Sequence, residues 1–454
     1  MAMTEKEFLK QARPLAEALL DFGKTEGAKH GVSDVRVAIS AGTKQSNSDE
    51  KGEVVNVVSG TSFEVTVTMY AARGASISFT KNVRDEAQLK QAMLQNMDAL
   101  KVVPGGSKKG LLEPDKVFKG PKADLDMYDH TPPTQAELIQ YAKDVEAAAR
   151  AEKGTKAVRS VSVSANDGHY LVLATNGLDI SNSSTMYSAG AAVIAEDANG
   201  MQIGGESSFA RHFNDMAKPK ALGAAAGKDA VSKLSPTLPN TGEMPIVLDR
   251  DAAEAFFSSV FAAIDGTAIY RGTSFMKDKL GKQVMNADIT IEDDPTIPRG
   301  ASSGQVDGAG LEMRKVTFVK DGVLEAFNLT LFESRQLGME PTGREGGETN
   351  VRILPGKVSP EDLIKDIKEG VYINGFNGGT VDVNNGQHSR QAHGFLIKDG
   401  EVTDIAVAGF VVSGNLKDMF MKAQIANDTP ALPSTRHSMA APTTRIDGLT
   451  IAGK

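Results

Sequence analysis

Pairs of turn-forming residues divide much of this chain into short strand-like runs, and this pattern restricts the possible folds more than any other feature. Asn-Asp-Gly stands at 166–168, Asn-Gly at 176–177 and 199–200, and Lys-Asp-Gly at 320–322 and 398–400. Asn, Asp and Gly tolerate the positive φ angles that tight hairpin turns require. Runs that meet at such turns pair with their sequence neighbours, so the pattern predicts antiparallel meanders.

The runs of the N-terminal half alternate apolar and polar residues, which is the period of a half-buried strand. Predicted strands cover residues 35–39, 54–58, 63–70, 75–80, 158–165, 169–175, 178–187, 189–196 and 201–210. Thr4 with Glu7, and Thr134 with Glu137, have the spacing of a capping box, which marks a helix start. Further helices are predicted at 84–100, at 218–234, from a cap at Asp249 or Asp251 to Gly266, at 359–370 and at 416–426.

Two segments rich in turn formers mark candidate boundaries, at 101–133 and at 236–242. We therefore predict an N-terminal α+β subdomain over 1–100, a loop or linker over 101–133, a second α+β subdomain over 134–235 and a C-terminal domain over 242–454. Strands dominate the last of these. The predicted fold class is α+β, with antiparallel meanders in the N-terminal part and a mainly antiparallel C-terminal β domain with flanking helices.

Composition excludes several classes of protein. The net charge of −8 argues against a nucleic-acid partner, because phosphate binding needs a clustered positive surface. The chain has no cysteine, which excludes disulfides, thiolate ligands and a cysteine nucleophile. Its first residues lack the pattern of a signal peptide, and the strongest apolar run, 405–412, is too short to cross a bilayer. We expect a cytoplasmic protein with no membrane partner.

The histidines do not have the spacing of a zinc site on a helix. Two ligands on one helix face must lie three or four residues apart, and a catalytic zinc uses three protein ligands. The seven histidines are His30, His130, His169, His212, His388, His393 and His437. None of their pairs has that spacing, and the helix over 252–264 contains no histidine. We therefore assign this chain no metal ligand, no cofactor and no catalytic residue.

The C-terminal domain resembles the TldD/PmbA family, which comprises metallopeptidase-related proteins also called gyrase modulators. The matching segments are 268–281 (AIYRGTSFMKDKLG), 320–324 (KDGVL), 333–338 (ESRQLG), 393–401 (HGFLIKDGE), 413–419 (SGNLKDM) and 446–453 (IDGLTIAG). The likeness is greater to the PmbA, or TldE, branch. In the TldD branch, the helix before the first segment carries a His-Glu-x-x-x-His zinc motif, which the histidine-free helix over 252–264 lacks.

The sequence departs from the family pattern at two further places. Gln387 and His388 stand where relatives show Asp and Phe in a Gly-Asp-Phe-Ser pattern. Asp307 remains, but Ala309 stands where a second acidic residue is expected. These changes weaken any inherited acid–base role.

Eight residues are candidates for lining a substrate cleft: Tyr270, Arg271, His388, Ser389, His393, Phe410, Ser413 and Asn415. His388 and Ser389 are adjacent and point to opposite faces of a strand, which disfavours a nucleophile–base pair. A peptide laid along 410–413 by strand addition could bond to Asn415, whose simpler role is a helix N-cap. Arg271 suits either a peptide carboxylate or a surface salt bridge.

The resemblance implies a subunit of a TldD/TldE-type metallopeptidase that acts on unfolded peptides. A TldD-like partner subunit would carry the zinc, and this chain would shape the substrate chamber. The alternative is a non-catalytic peptide-binding or regulatory homodimer. A third reading is a metal-free hydrolase that uses Ser389 with His388 or His393. The glycine-rich stretches 343–347 and 375–379 are interpreted as mobile loops, either of which could be a lid.

Overall fold

A six-stranded antiparallel sheet carries the N-terminal half of the chain. A computed structural model describes residues 3–50, 53–106, 108–434, 436 and 439–454. The elements are α1 Glu5–Lys29, β1 Asp34–Glu50, β2 Glu53–Ala71, β3 Ala75–Lys81, α2 Glu86–Val102, α3 Gln135–Ala151, β4 Thr155–Ala174, β5 Asp179–Asp197, β6 Gly200–Ala210 and α4 Pro219–Ser232. The strand order is β3-β2-β1-β4-β5-β6.

Strand β4 is covered on both faces. Its odd-numbered residues, such as Val161 and Leu171, pack in the cores that contain the four helices. Its even-numbered Val172 packs with Leu112 and Leu331 on the other face. Because successive side chains of a strand alternate, one strand separates the helical layer from the C-terminal half of the molecule.

The predicted turn at 166–168 is wrong, because β4 continues through it. Asp167 pairs with Thr43 on one side and Thr185 on the other. The Thr43 N–H also donates to Asp167 Oδ1 at 2.6 Å. Two neighbouring strands therefore hold these residues extended, and ladder bonds override the local turn preference. The strands predicted separately at 54–58 and 63–70 are one continuous strand, β2. Likewise, the strands predicted at 178–187 and 189–196 are both part of β5.

A ring of strands organises the C-terminal half. Its elements are β7 Gly242–Leu248, α5 Arg250–Ile264, α6 Gly266–Arg271, β8 Ile291–Asp293, β9 Val316–Lys320, β10 Val323–Leu324, α7 Leu331–Leu337, β11 Val351–Ile353, α8 Pro360–Ile364, β12 Glu369–Asp382, β13 Gln387–Lys398, β14 Glu401–Asn415, α9 Leu416–Lys422, β15 Gln424–Ile425, β16 Met439–Ala440 and β17 Thr444–Ala452. One sheet has the order β14-β13-β12-β7-β17-β15, and β17 also pairs with β14. Strands β7, β12, β13, β14 and β17 therefore close on themselves.

A second, five-stranded sheet lies beside this strand ring, in the order β10-β9-β8-β11-β16. Most of the pairs in both sheets are antiparallel, with β7–β12 and β11–β16 as parallel exceptions. The N-cap of α5 is Asp249, whose Oδ1 accepts from the Ala252 N–H at 2.8 Å. Its Phe256, Phe257 and Phe261 are buried in the C-terminal core. The observed fold class is α+β, as predicted.

The hairpin turns at 320–322 and 398–400 are confirmed. Asp321 and Asp399 have φ angles of 49° and 48°, and the glycines that follow them are also at positive φ. The turn at 199–200 joins β5 to β6 as predicted. No described helix combines the length and the apolar character that a membrane span requires.

Three predictions in the C-terminal half are wrong. Residues 375–379 are not a loop but lie within β12, where register shifts accommodate the extra residues. The helix that starts after Ser359 ends at Ile364, and Gly370 belongs to β12. The last helix ends at Lys422, because the next residues pair with β17 as β15.

Candidate functional site

The register of β13 against β14 places four predicted polar residues at one end of the strand ring. Gln387 pairs with Asn415, and Ser389 pairs with Ser413. His388 lies between them, opposite Gly414. The tertiary structure therefore brings His388, Ser389, Ser413 and Asn415 together from two segments.

His388 is part of the interior rather than of an open cleft. Its side chain is 2% exposed, and its ring stands edge-on to Phe376 with the centroids 5.6 Å apart. Burial, and secondarily the positive charge of Arg390, lower the pKa of His388 to about 4. Ser389 is half-buried, and no hydrogen bond between it and His388 is found among the described residues. This geometry does not form a nucleophile–base pair.

The strand-addition hypothesis at 410–413 is wrong, because β17 already occupies that edge. Val411, Val412 and Ser413 pair with β17 on one side and β13 on the other. Phe410 is fully buried in the C-terminal core. A peptide therefore has neither a free strand edge nor an exposed Phe410 to bind here.

Asn415 is the N-cap of α9, as predicted. Its Oδ1 accepts from the Lys417 N–H at 3.1 Å, and its Nδ2 donates to the Asn385 carbonyl at 3.1 Å. Both polar ends of the amide are thus engaged within the chain. The cap satisfies a backbone N–H that the first turn of a helix leaves free.

Tyr270 and Arg271 lie on a different surface, at the end of α6. Tyr270 is 45% exposed, and its ring stands edge-on to Phe332 of α7 at 6.1 Å between centroids. Gly272, at φ 72°, ends the helix. Within the described residues, the Arg271 side chain makes no hydrogen bond or ion pair, and none links this turn to the β13–β14 residues.

His393, in the middle of β13, lines a cavity of about 190 Å³. The cavity lies between α4 and β6 on one side and the strand ring on the other. Its polar lining includes Asn374, Asn377, Asp229 and Lys233. These residues come from separate parts of the chain, so the tertiary fold creates the cavity.

The polar groups of this cavity are mutually oriented. Asn377 Nδ2 lies 3.3 Å from His393 Nδ1. Lys233 Nζ and the Gly205 N–H both donate to Asp229 Oδ2, at 2.7 and 2.9 Å. Burial lowers the pKa of His393, and the positive charge of Lys233 lowers it further. His393 is therefore held neutral beside an ion pair.

Asn374 connects the cavity to the start of α5. Its Nδ2 donates to Asp249 Oδ2 at 2.8 Å, while its Oδ1 is buried without a hydrogen-bond partner. Burial raises the pKa of Asp249 to about 6. A buried polar atom without a partner is costly, so Asn374 is an unfavourable residue next to the cavity.

Sequence reasoning identified His393 but not Asn374, Asp229 or Lys233. Asp229 and Lys233 are four residues apart, which on its own indicates only an ordinary surface ion pair of a helix. The sequence around Asn374 has no pattern that indicates a binding residue. Only the packing of α4 against the strand ring distinguishes these residues from other polar side chains.

The donor set of α5 does not fit a zinc centre. Its buried face is mainly apolar and includes three phenylalanines, and the helix holds no histidine. In the part of the chain that the structure describes, three or more His, Asp or Glu side chains do not cluster closely enough to hold a metal ion.

Comparison with known proteins agrees with this architecture. The model of the PmbA/TldA metallopeptidase C-terminal domain matches residues 241–453, and that of the central domain of the same proteins matches 128–234. Metalloprotease PmbA of Escherichia coli O157:H7 is 29% identical over 456 residues, covering 99% of this chain and 97% of that protein. The chain belongs to the PmbA/TldD family.

Two solved structures share the fold. A candidate modulator of DNA gyrase from Bacteroides thetaiotaomicron superposes with a TM-score of 0.88 at 22% identity, covering 99% of this chain and 100% of that one. TldE from Thermococcus kodakarensis gives a TM-score of 0.79 at 21% identity, covering 97% and 100%. At this level of identity the similarity establishes the fold.

Proposed function

We propose that this chain is a PmbA/TldE-type subunit of a two-chain metallopeptidase that acts on unfolded peptides. A partner of TldD type supplies the zinc. This chain shapes the chamber between the subunits and helps to hold the substrate. Dividing metal chemistry and substrate positioning between chains makes activity depend on their assembly.

The observation that carries the proposal is α5. The family resemblance places a His-Glu-x-x-x-His motif on this helix in the TldD branch. Here the helix contributes Phe256, Phe257 and Phe261 to the core. A family member whose corresponding helix is used for packing fits the role of a structural and substrate-positioning subunit.

The test is reconstitution. We expect the purified chain to hold no stoichiometric zinc and to leave unfolded peptides intact, because it lacks a helical ligand pair. Mixed with a TldD-type chain, it should form a complex that contains zinc and cleaves peptides. Metal analysis of each chain and mass spectrometry of the peptides measure both properties.

The matched control is the same mixture with a partner in which the first motif histidine is replaced by alanine. Cleavage should disappear while the complex still forms. Cleavage by this chain alone, unaffected by chelator and lost in Ser389→Ala, would contradict the proposal. A stable homodimer that binds peptides and ignores the TldD-type chain would support the non-catalytic alternative.

A further inference from the structure

We propose that the cavity between α4 and the strand ring binds a small zwitterion, either a free amino acid or a dipeptide. The inference concerns this chain alone and does not require the two-chain peptidase. It rests on hydrogen-bonding groups of opposite character that converge on one cavity of about 190 Å³. Small-ligand sites typically combine apolar walls with a few such groups.

The first set of groups can donate to a carboxylate. Asn377 Nδ2 donates to His393 Nδ1 in the tautomer whose neutral ring carries its hydrogen on Nε2. Among the described residues, no hydrogen bond to Nε2 is found. Lys233 uses one of its three N–H bonds on Asp229 and retains two.

The second set can accept from an ammonium or amide group. Asp229 Oδ2 is occupied by Lys233 and Gly205, but in the described part of the chain Oδ1 receives no side-chain or backbone hydrogen bond. A ligand N–H group would satisfy this oxygen.

Charge balance selects the class of ligand. The cavity carries one positive and one negative side chain, Lys233 and Asp229, together with a neutral His393. A ligand with a net charge would leave one charge uncompensated in a partly buried site, which is costly. A zwitterion meets both charges, and Ile203, Pro236 and Phe395 provide apolar contact for its side chain.

The experiment is calorimetric titration of the full chain with four probes: leucine, glycyl-leucine, N-acetyl-glycyl-leucine and glycyl-leucinamide. At least one of the two zwitterions, leucine or glycyl-leucine, should bind. If glycyl-leucine is the ligand, its acetylated and amidated forms should each bind at least about tenfold more weakly than it does. Leucine binding more tightly than glycyl-leucine would identify a free amino acid instead. A capped form that binds as tightly as the better of the two zwitterions would overturn the inference.

Variants assign the two ends of the ligand. Lys233→Met should weaken the zwitterion and remove the penalty for amidation, and Asp229→Asn should remove the penalty for acetylation. Lys228→Met, on the exposed part of the same helix, should bind as the unmodified chain does. The inference would also be overturned if none of the four probes bound the unmodified chain at millimolar concentration while far-UV circular dichroism showed that the chain was folded. Neither result depends on the outcome of the reconstitution.

Discussion

At the scale of single residues, His388 combines two unfavourable features. Its ring is buried, and its Nδ1 has no hydrogen-bond partner. Its pKa is lowered from 6.5 to about 4. Between these two pH values, His388 is neutral in the folded chain and protonated in the unfolded chain. Stability linked to His388 is therefore complete above about pH 6.5 and is lost as the pH falls towards 4.

His388→Phe should remove this acid sensitivity, because phenylalanine suits the apolar contact with Phe376 and cannot titrate. The variant loses an unsatisfied atom but also the hydrogen bond of the ring to the Val412 backbone, so at pH 7.5 its unfolding free energy should lie within about 1 kcal/mol of that of the unmodified chain. At pH 5 the difference should shift by about 2 kcal/mol in favour of the variant. Urea unfolding at both pH values measures the difference in unfolding free energy between the variant and the unmodified chain. The same difference at pH 5 and at pH 7.5 would show that His388 does not titrate as described.

At the scale of elements, a buried ion pair connects the glycine-rich stretch 343–347 to the five-stranded sheet. Arg344 Nε donates to Asp293 Oδ2 at 2.6 Å, and both side chains are fully buried. The N–H groups of Thr349 and Asn350 also donate to the Asp293 carboxylate. The sequence interpretation of this stretch as a mobile loop that could be a lid is wrong about mobility, because the buried Arg344 anchors the loop to β8.

Arg344→Met should cost about 3–5 kcal/mol, because it leaves the Asp293 carboxylate buried without its cation. Arg314→Met is the control. That side chain is 80% exposed, and its pair with Glu312 is worth less than about 1 kcal/mol. Denaturant unfolding of both variants gives the comparison. Equal, small losses would mean that the backbone donors alone stabilise Asp293.

At the scale of the whole molecule, the segment 101–133 joins the two halves. Arg335 of α7 donates to the Leu111 carbonyl and to Glu113 Oε1, both at 2.6 Å. The Phe118 N–H donates to the Gly310 carbonyl at 2.9 Å. Leu112 is buried between β4 and the C-terminal half. This segment therefore packs as part of the molecule, although its lysines remain on the surface.

Arg335→Ala should loosen this segment without unfolding either half, because it removes several hydrogen bonds that cross between them. We expect trypsin to cleave after Lys108, Lys109 or Lys116 at least about threefold faster, since local opening exposes the backbone. Arg271→Ala, at the end of the neighbouring helix, is the control and should leave cleavage unchanged. The sites and rates are read by mass spectrometry over time.

The sequence alone determined the features that depend on neighbouring residues. The Asp-Gly turns at 320–322 and 398–400, and the caps at Thr4, Thr134 and Asn415, were predicted because φ preferences and cap hydrogen bonds act over a few residues. The family resemblance added the C-terminal architecture. These local signals account for most elements of the fold and for the role of Asn415.

Only the tertiary structure decided the features that depend on distant partners. Asp167 lies in a strand because Thr43 and Thr185 pair with it, and the edge at 411–413 is closed because β17 returns to it from the end of the chain. The cavity at His393 likewise requires α4 to pack against the strand ring. Register and packing are set by contacts between residues far apart in sequence, and no local pattern encodes them.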